Sequence, residues 1–244
     1  MDPSTVAACR ALYETAFPDE DAAFLDTLFA CYAPECLRVK RVGGNVASML
    51  FSIPYPIQTK DGVLDARYLY AVATAPEYRG QGLARALLAE EMARGLPVFL
   101  RPMQPSLFDF YRRAGLVPFA PYRTVSGQAG GVVEGLCELD ANGYRAARAR
   151  FLNEPYCQPT ADYLHLAFPT GGAVGEAGVF CALYEYVDSR LCIKELLGDP
   201  KNAPRVAAFL GAERFEARVP DANGEPFAVG AGVPSDASFL LALD

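Results

Sequence analysis

Residues 76–85 read PEYRGQGLAR, placed between the apolar run YLYAVATA and the helical run ALLAEEMA. Glycine is favoured where the backbone takes positive φ or comes close to another group. A helix that starts here exposes amide hydrogens without intrahelical partners and roughly half a positive charge from its dipole. Gly80 and Gly82 put no side chain in front of those amides, and Arg79 and Arg85 add formal positive charge. Such a turn can cradle an anion, and a diphosphate is the natural match. The plain alternative is a strand-to-helix turn. The triphosphate-binding pattern GxxxxGK[ST] is absent, and the dinucleotide pattern GxGxxG would need glycine at 85, where the chain has arginine.

Other chemistry is narrowed by composition. The chain has 244 residues, a net charge of −7 and one histidine. The acidic balance disfavours nucleic acid and membrane surfaces, which are bound largely through clustered Lys and Arg, and mildly favours a cationic partner. His165 lies between two leucines in ADYLHLAF, so a histidine-rich metal site is excluded and a Ser-His-Asp or Cys-His arrangement would depend on that residue. Seven scattered cysteines without a CxxC read as buried free thiols rather than a disulfide or zinc framework. The start MDPSTVAACRALYE lacks a signal-peptide pattern, and no stretch approaches about 20 uncharged apolar residues. A cytoplasmic, metal-free protein is expected.

The elements that must position the glycine turn follow from periodicity. Residues 4–16 and 20–32 carry apolar residues at helical spacing. LRVKRV and VASMLFSIPY form a hairpin about Gly43-Gly44-Asn45, KDG at 60–62 is a further turn, and a strand spans about 64–75. After the turn, 82–94 is an amphipathic helix with Leu83, Leu87 and Leu88 on one face and Arg85, Glu90, Glu91 and Arg94 elsewhere. PVFLRP is a short buried strand, PSLFDFYRRAG a helix, and LVPFAPYRTV and VVEGLCEL are strands. A second unit is expected from residue 141: helix ANGYRAARARFL, a weaker helix at 159–167, a hairpin turned at Asp188-Ser189, helix NAPRVAAFLGA, and strands ERFEARV, EPFAVGAGV and ASFLLAL. Strand RLCIKELL, turn LGDPKN, helix and strand RFEARV repeat the order of YLYAVATA, turn, helix and PVFLRP.

Arg79-Gly80-Gln81-Gly82-Leu83-Ala84 resembles the R/QxxGxG/A signature of the GNAT acetyltransferase superfamily, and FYRRAGLVPF resembles its FYxxxGF motif. One strand lies between the two motifs, as in the family, and Gln104 and Leu116 stand where asparagine and phenylalanine are common. The resemblance implies an α/β (α+β) fold: a mixed, mostly antiparallel sheet flanked by helices over 1–140, then a smaller, degenerate domain of the same kind over 141–244. It implies acetyl-CoA as co-substrate and an N-acetyltransferase acting by direct transfer on a primary amine of a small molecule or peptide.

Position by position, the backbone of Val72, Ala73 and Thr74 would pair with the pantetheine arm. The amides of Arg79, Gly80, Gln81, Gly82, Leu83 and Ala84 would hold the diphosphate with Arg85 at the rim, and Gln104 would make an amide contact. Tyr111 would assist the departing thiolate. The general base stays open among Asp65, Tyr68, Tyr70, Glu77 and the terminal carboxylate at Asp244. In the second unit, Asp199 and Pro200 make the matching turn a poor phosphate cradle, so one acetyl-CoA per chain is expected, with that half shaping the acceptor pocket. An inactive acyl-CoA-binding sensor or scaffold and a nucleotide-binding protein are the alternatives. Either a monomer or a homodimer fits the sequence.

Overall fold

A computed structural model describes residues 1–168, 171–187 and 189–243. The first half runs α1 (Pro3–Ala16), α2 (Ala22–Cys36), β1 (Leu37–Val42), β2 (Asn45–Pro54), β3 (Ile57–Thr59), β4 (Gly62–Leu64), β5 (Arg67–Thr74), α3 (Leu83–Met92), β6 (Val98–Leu100), α4 (Leu107–Arg113) and β7 (Val117–Gln128). It continues with β8 (Cys137–Leu139), α5 (Ala141–Phe151), β9 (Tyr156–Cys157), α6 (Ala161–Ala167), β10 (Gly171–Glu176), β11 (Phe180–Val187), β12 (Arg190–Gly198), α7 (Ala203–Phe209), β13 (Arg214–Pro220) and β14 (Glu225–Ala231). One-turn 3₁₀ helices at Pro76–Tyr78 and Pro200–Asn202 precede α3 and α7.

Two compact units emerge, one of Met1–Tyr55, Asp65–Val117 and Val229–Val233, the other of Pro56–Leu64, Pro118–Ala228 and Pro234–Asp244. The sequence reading divides the chain once, at 140/141, whereas these units exchange segments. In the first, β1, β2, β5 and β6 are hydrogen-bonded in that order, and Val229–Ala231 of β14 pairs antiparallel with β6. β5 and β6 alone run parallel, which the intervening α3 makes possible. In the second, β7, β13, β12, β11, β10 and β8 are joined in that order, and β12 and β13 are the parallel pair, connected through α7. Each unit thus carries strand, 3₁₀ turn, helix, parallel strand.

The first unit packs α1 and α2 on one face of its sheet through an aromatic row. Tyr13 meets Phe17, Phe29 and Tyr70 at centroid separations of 4.8, 6.1 and 6.3 Å. The other face buries Leu50, Leu69, Val98 and Leu100 of the sheet with Leu87, Leu88 of α3 and Tyr111 of α4. The second unit buries Val174, Phe180, Leu191, Ile193, Val206 and Phe215 around α7, and Tyr144, Leu164 and Leu183 around α5 and α6.

Boundaries depart from the sequence reading in places with clear causes. α4 begins at Leu107, two residues late, because Pro105 and Ser106 form a turn in which Leu107 N–H bonds Gln104 O at 3.0 Å. ASFLLAL, expected as a strand, joins no ladder and makes one bridge from Ser238 to Tyr156, yet Phe239, Leu240 and Leu241 are buried. Its apolar run satisfies burial without pairing. β10 was not expected, since GGAVGE has too little side chain to read as a strand; Gly171 sits so close to Tyr184 O that a Cβ would lie 1.8 Å from it. The expected turn residue Asp188 lies outside the described residues, as does Asp244.

Candidate active site

Val72 to Thr74 end β5, Arg79 to Arg85 lead into and begin α3, and Tyr111 of α4 packs in the same core cluster as Val72, whereas Gln104 lies in the loop before α4. β5 and β6 pair only at Arg67↔Val98 and Tyr68↔Phe99, so the parallel strands separate beyond Tyr68. On its other side β5 is bulged against β2: Phe51 faces Tyr70 and Met49 faces Ala73, leaving Ala71 and Val72 opposite the single residue Leu50. Ala71 holds φ at 51°, a left-handed conformation that costs an alanine about 1–2 kcal/mol.

Alternation along the ladder sorts the strand end. Ala75 N–H bonds Ala47 O at 2.9 Å, which turns the backbone of Ala73 toward β2 and that of Val72 and Thr74 outward, to the side β6 has left. The Ala73 carbonyl accepts from Ser48 Oγ at 2.7 Å. An extended ligand arm on the open side could therefore pair with Val72 and Thr74, not with Ala73.

The loop itself is shaped by glycine. Gly80 and Gly82 lie at φ 78° and 76°, and a Cβ at either would meet no atom within 4 Å. Conformation requires glycine here and packing does not, so the space before both residues is open. The first intrahelical bond runs from Ala86 N–H to Gly82 O at 2.9 Å, leaving the amides of Gly82, Leu83, Ala84 and Arg85 outside the α3 ladder. The amide of Arg79 is spent differently, bonding Pro76 O at 3.3 Å to close the 3₁₀ turn. Its side chain also turns back, Nε donating to Thr74 O at 3.2 Å, and Arg85 donates to the Arg113 carbonyl at the end of α4 at 2.8 Å. Gln81 and Gln104 are exposed.

Tyr111 belongs to the core cluster beside α3, with Leu69 and Val72 of β5 packed in the same cluster. It is 7% exposed, and burial pushes its phenol up to about 12, so it stays a protonated donor through the physiological range. Tyr68 and Tyr70 stack at 6.1 Å on the opposite face of the strand, toward α1 and α2. Asp65 and Glu77 are exposed. Among the described residues, no three His, Cys, Asp or Glu side chains gather where they could hold a metal ion, and no helix is long and apolar enough to cross a membrane.

One residue that positions α3 escapes the sequence reading. Glu91, expected on the polar face, is 2% exposed and accepts from Arg38 Nε at 2.9 Å, Arg94 Nε at 2.8 Å and Ser52 Oγ at 2.6 Å. The signal was present: Glu91 falls four residues after Leu87 and three after Leu88, on their face. Its ion pair ties α3 to β1 and its hydroxyl contact ties α3 to β2, fixing the helix whose first turn presents the open amides.

The matching turn of the second unit is built otherwise. The carboxylate of Asp199 accepts the Lys201 amide at 2.9 Å, filling the place an external anion would take. Gly198 is demanded by packing, since a Cβ would lie 2.6 Å from Val179 O.

Residues 1–118 match the family model described as acetyltransferase (GNAT) domain. The fold is similar to a GCN5-related N-acetyltransferase from Kribbella flavida over 94% of this chain and 70% of that one, with TM-score 0.67 and 14% identity. A GCN5-related N-acetyltransferase from Anabaena variabilis covers the same shares, with TM-score 0.68 and 15% identity. Eis1 from Mycobacterium abscessus matches over 97% and 71%, with TM-score 0.62 and 14% identity. At such low identities these matches show likeness of fold alone, and no curated protein matches the sequence. A strand that parts from its parallel neighbour at a bulge, a positive-φ glycine loop and a helix of open amides occupy the segment, residues 1–118, that matches the GNAT acetyltransferase domain model.

Proposed function

We propose that the chain is an acyl-CoA-dependent N-acetyltransferase that transfers an acetyl group directly to a primary amine of a small molecule or peptide, with one site per chain, in the first unit. The observation that carries this reading is the coincidence, at one strand end, of the outward backbone of Val72 and Thr74 with the open amides of Gly82 to Arg85. Acetyl-CoA, when bound, supplies an acyl thioester. Val72 and Thr74 would orient its extended arm, and Gly80 to Arg85 would hold its diphosphate, as the helix dipole favours. Arg79 and Arg85 would release their carbonyl partners to meet phosphate charge. Tyr111 Oη would give a hydrogen bond or proton to the leaving sulfur, a modest task for a phenol held neutral by burial.

The second unit is read as a degenerate GNAT-like half, because Asp199 and the packing of Gly198 close its turn to an anion. Calorimetric titration of acetyl-CoA is expected to give one site per chain, and incubation with a panel of primary amines is expected to release free thiol. Two sites per chain would overturn the single-site reading. Binding without thiol release from any amine would leave an acyl-CoA-binding sensor, and a cytoplasmic N-acetyltransferase would then be the wrong description.

A further inference from the structure

The face of β5 opposite Tyr111 carries a hydrogen-bonded chain that the transfer reaction has not yet used. Tyr70 Oη lies 2.7 Å from Tyr13 Oη, and Tyr13 Oη donates to Glu20 Oε2 at 3.0 Å. An ionised carboxylate only accepts, so the single Tyr13 hydrogen points to Glu20. Tyr70 must then be the donor of the pair. Its oxygen keeps its lone pairs, and no group among the described residues donates to them.

The chain begins where an acceptor amine would need it. Tyr70 immediately precedes the bulge residue Ala71, beyond the last β5–β6 pair at Tyr68. Leu69 and Val72 pack with Tyr111 on one face, while Tyr70 packs with Tyr13 of α1 and Phe24 of α2 on the other. The two tyrosines therefore address the bulge from opposite sides of the sheet, one suited to the leaving group and one to the nucleophile. The other end of the chain, Glu20, is exposed. The rings about Tyr70 also suit a cation, which aromatic faces attract. The titratable groups acting on Tyr70 are Tyr13, Glu20 and Tyr68, and burial above all holds its phenol neutral.

We infer that Tyr70, Tyr13 and Glu20 form a proton relay that deprotonates an ammonium acceptor of the N-acetyltransferase proposed above, on which this inference rests. The ammonium gives a proton to Tyr70 Oη as Tyr70 passes its own to Tyr13 and Tyr13 passes its own to Glu20 Oε2. Both phenols end neutral, the carboxylate is neutralised, and the nitrogen lone pair is freed. Glu20 then returns the proton to solvent. Tyr70 is the group that touches substrate, and Tyr13 and Glu20 act through it.

The test compares Tyr70→Phe, Tyr13→Phe and Glu20→Gln with wild type, using acetyl-CoA and two acceptor types: aliphatic primary amines, cationic at neutral pH, and arylamines, neutral there. Each variant should bind acetyl-CoA as wild type does by calorimetry. Tyr70→Phe should lose about 100-fold in kcat/KM with aliphatic amines, and much less with arylamines, which have no proton to shed before attack. A second readout needs no turnover. With tyrosines carbon-13 labelled at Cζ, Glu20→Gln should move the Tyr13 resonance and, through it, that of Tyr70. The Tyr70 response should vanish in the Tyr13→Phe background. Full aliphatic-amine activity in Tyr70→Phe, or equal losses with both acceptor types, overturns the relay alone. A wild type that transfers to no amine overturns the transferase reading and the relay with it.

Discussion

Placing a carboxylate in the glycine loop tests the anion cradle most directly. Any non-glycine residue at position 82 must hold φ at 76°, at a cost of about 1–2 kcal/mol in stability, and nothing within 4 Å obstructs its Cβ. Gly82→Ala and Gly82→Glu should therefore lose similar stability. They should differ in affinity, because a glutamate carboxylate about 5 Å from two diphosphate charges in water-like dielectric adds about 2 kcal/mol of repulsion. That corresponds to about 30-fold in Kd relative to the alanine variant, less at high salt. Gly82→Lys carries the same strain with the opposite charge and should bind at least as well as Gly82→Ala. Calorimetry with acetyl-CoA at two ionic strengths, alongside thermal melts, measures both terms. Equal affinity of the glutamate and lysine variants, with the melts unchanged between them, would refute a diphosphate at this loop.

Other consequences are open to measurement. Glu91→Ala removes the acceptor of Arg38, Arg94 and buried Ser52; because Arg38 and Arg94 retain access to water, the expected loss is about 2–3 kcal/mol in denaturant unfolding. In the second unit, Arg148→Ala removes the ionic partner of Glu195, which is 1% exposed, bonded by Arg148 at 2.6 and 3.0 Å and also by the Tyr144 hydroxyl at 2.7 Å, and should cost about 3–5 kcal/mol, whereas Arg148→Met with Glu195→Leu should recover most of it. Burial raises the Tyr111 phenol from its ordinary 10.0 to about 12. The unfolded chain therefore binds fewer protons than the folded one between those values, and alkaline unfolding titrations should show stability falling there, less so in Tyr111→Phe. Cys31 and Cys137 are the exposed thiols among the seven and should react fast with a disulfide reagent in the native state, the buried Cys9, Cys157 and Cys181 only after denaturation.

The sequence by itself determined the local chemistry. Gly80 and Gly82 declared a positive-φ loop, the apolar spacing of 82–94 declared α3, and FYRRAG placed Tyr111 on a helix, because turn conformation and helical periodicity are written in neighbouring residues. It also carried the repeated strand–turn–helix–strand order of the second unit. Tertiary structure alone decided what depends on distant partners. The parting of β5 from β6 and the outward turn of Val72 and Thr74 follow from registers with strands far along the chain. Arg38 lies 53 residues from the Glu91 that it pairs with. Tyr70 lies 57 residues from Tyr13, and only the packing of α1 on the sheet brings the two hydroxyls together. Helical spacing can place a carboxylate such as Glu91 on a buried face, but the partner that compensates it, or the phenol that aims another phenol, leaves no periodic trace in the chain, since it is supplied by side chains that the fold, and not the sequence, makes neighbours.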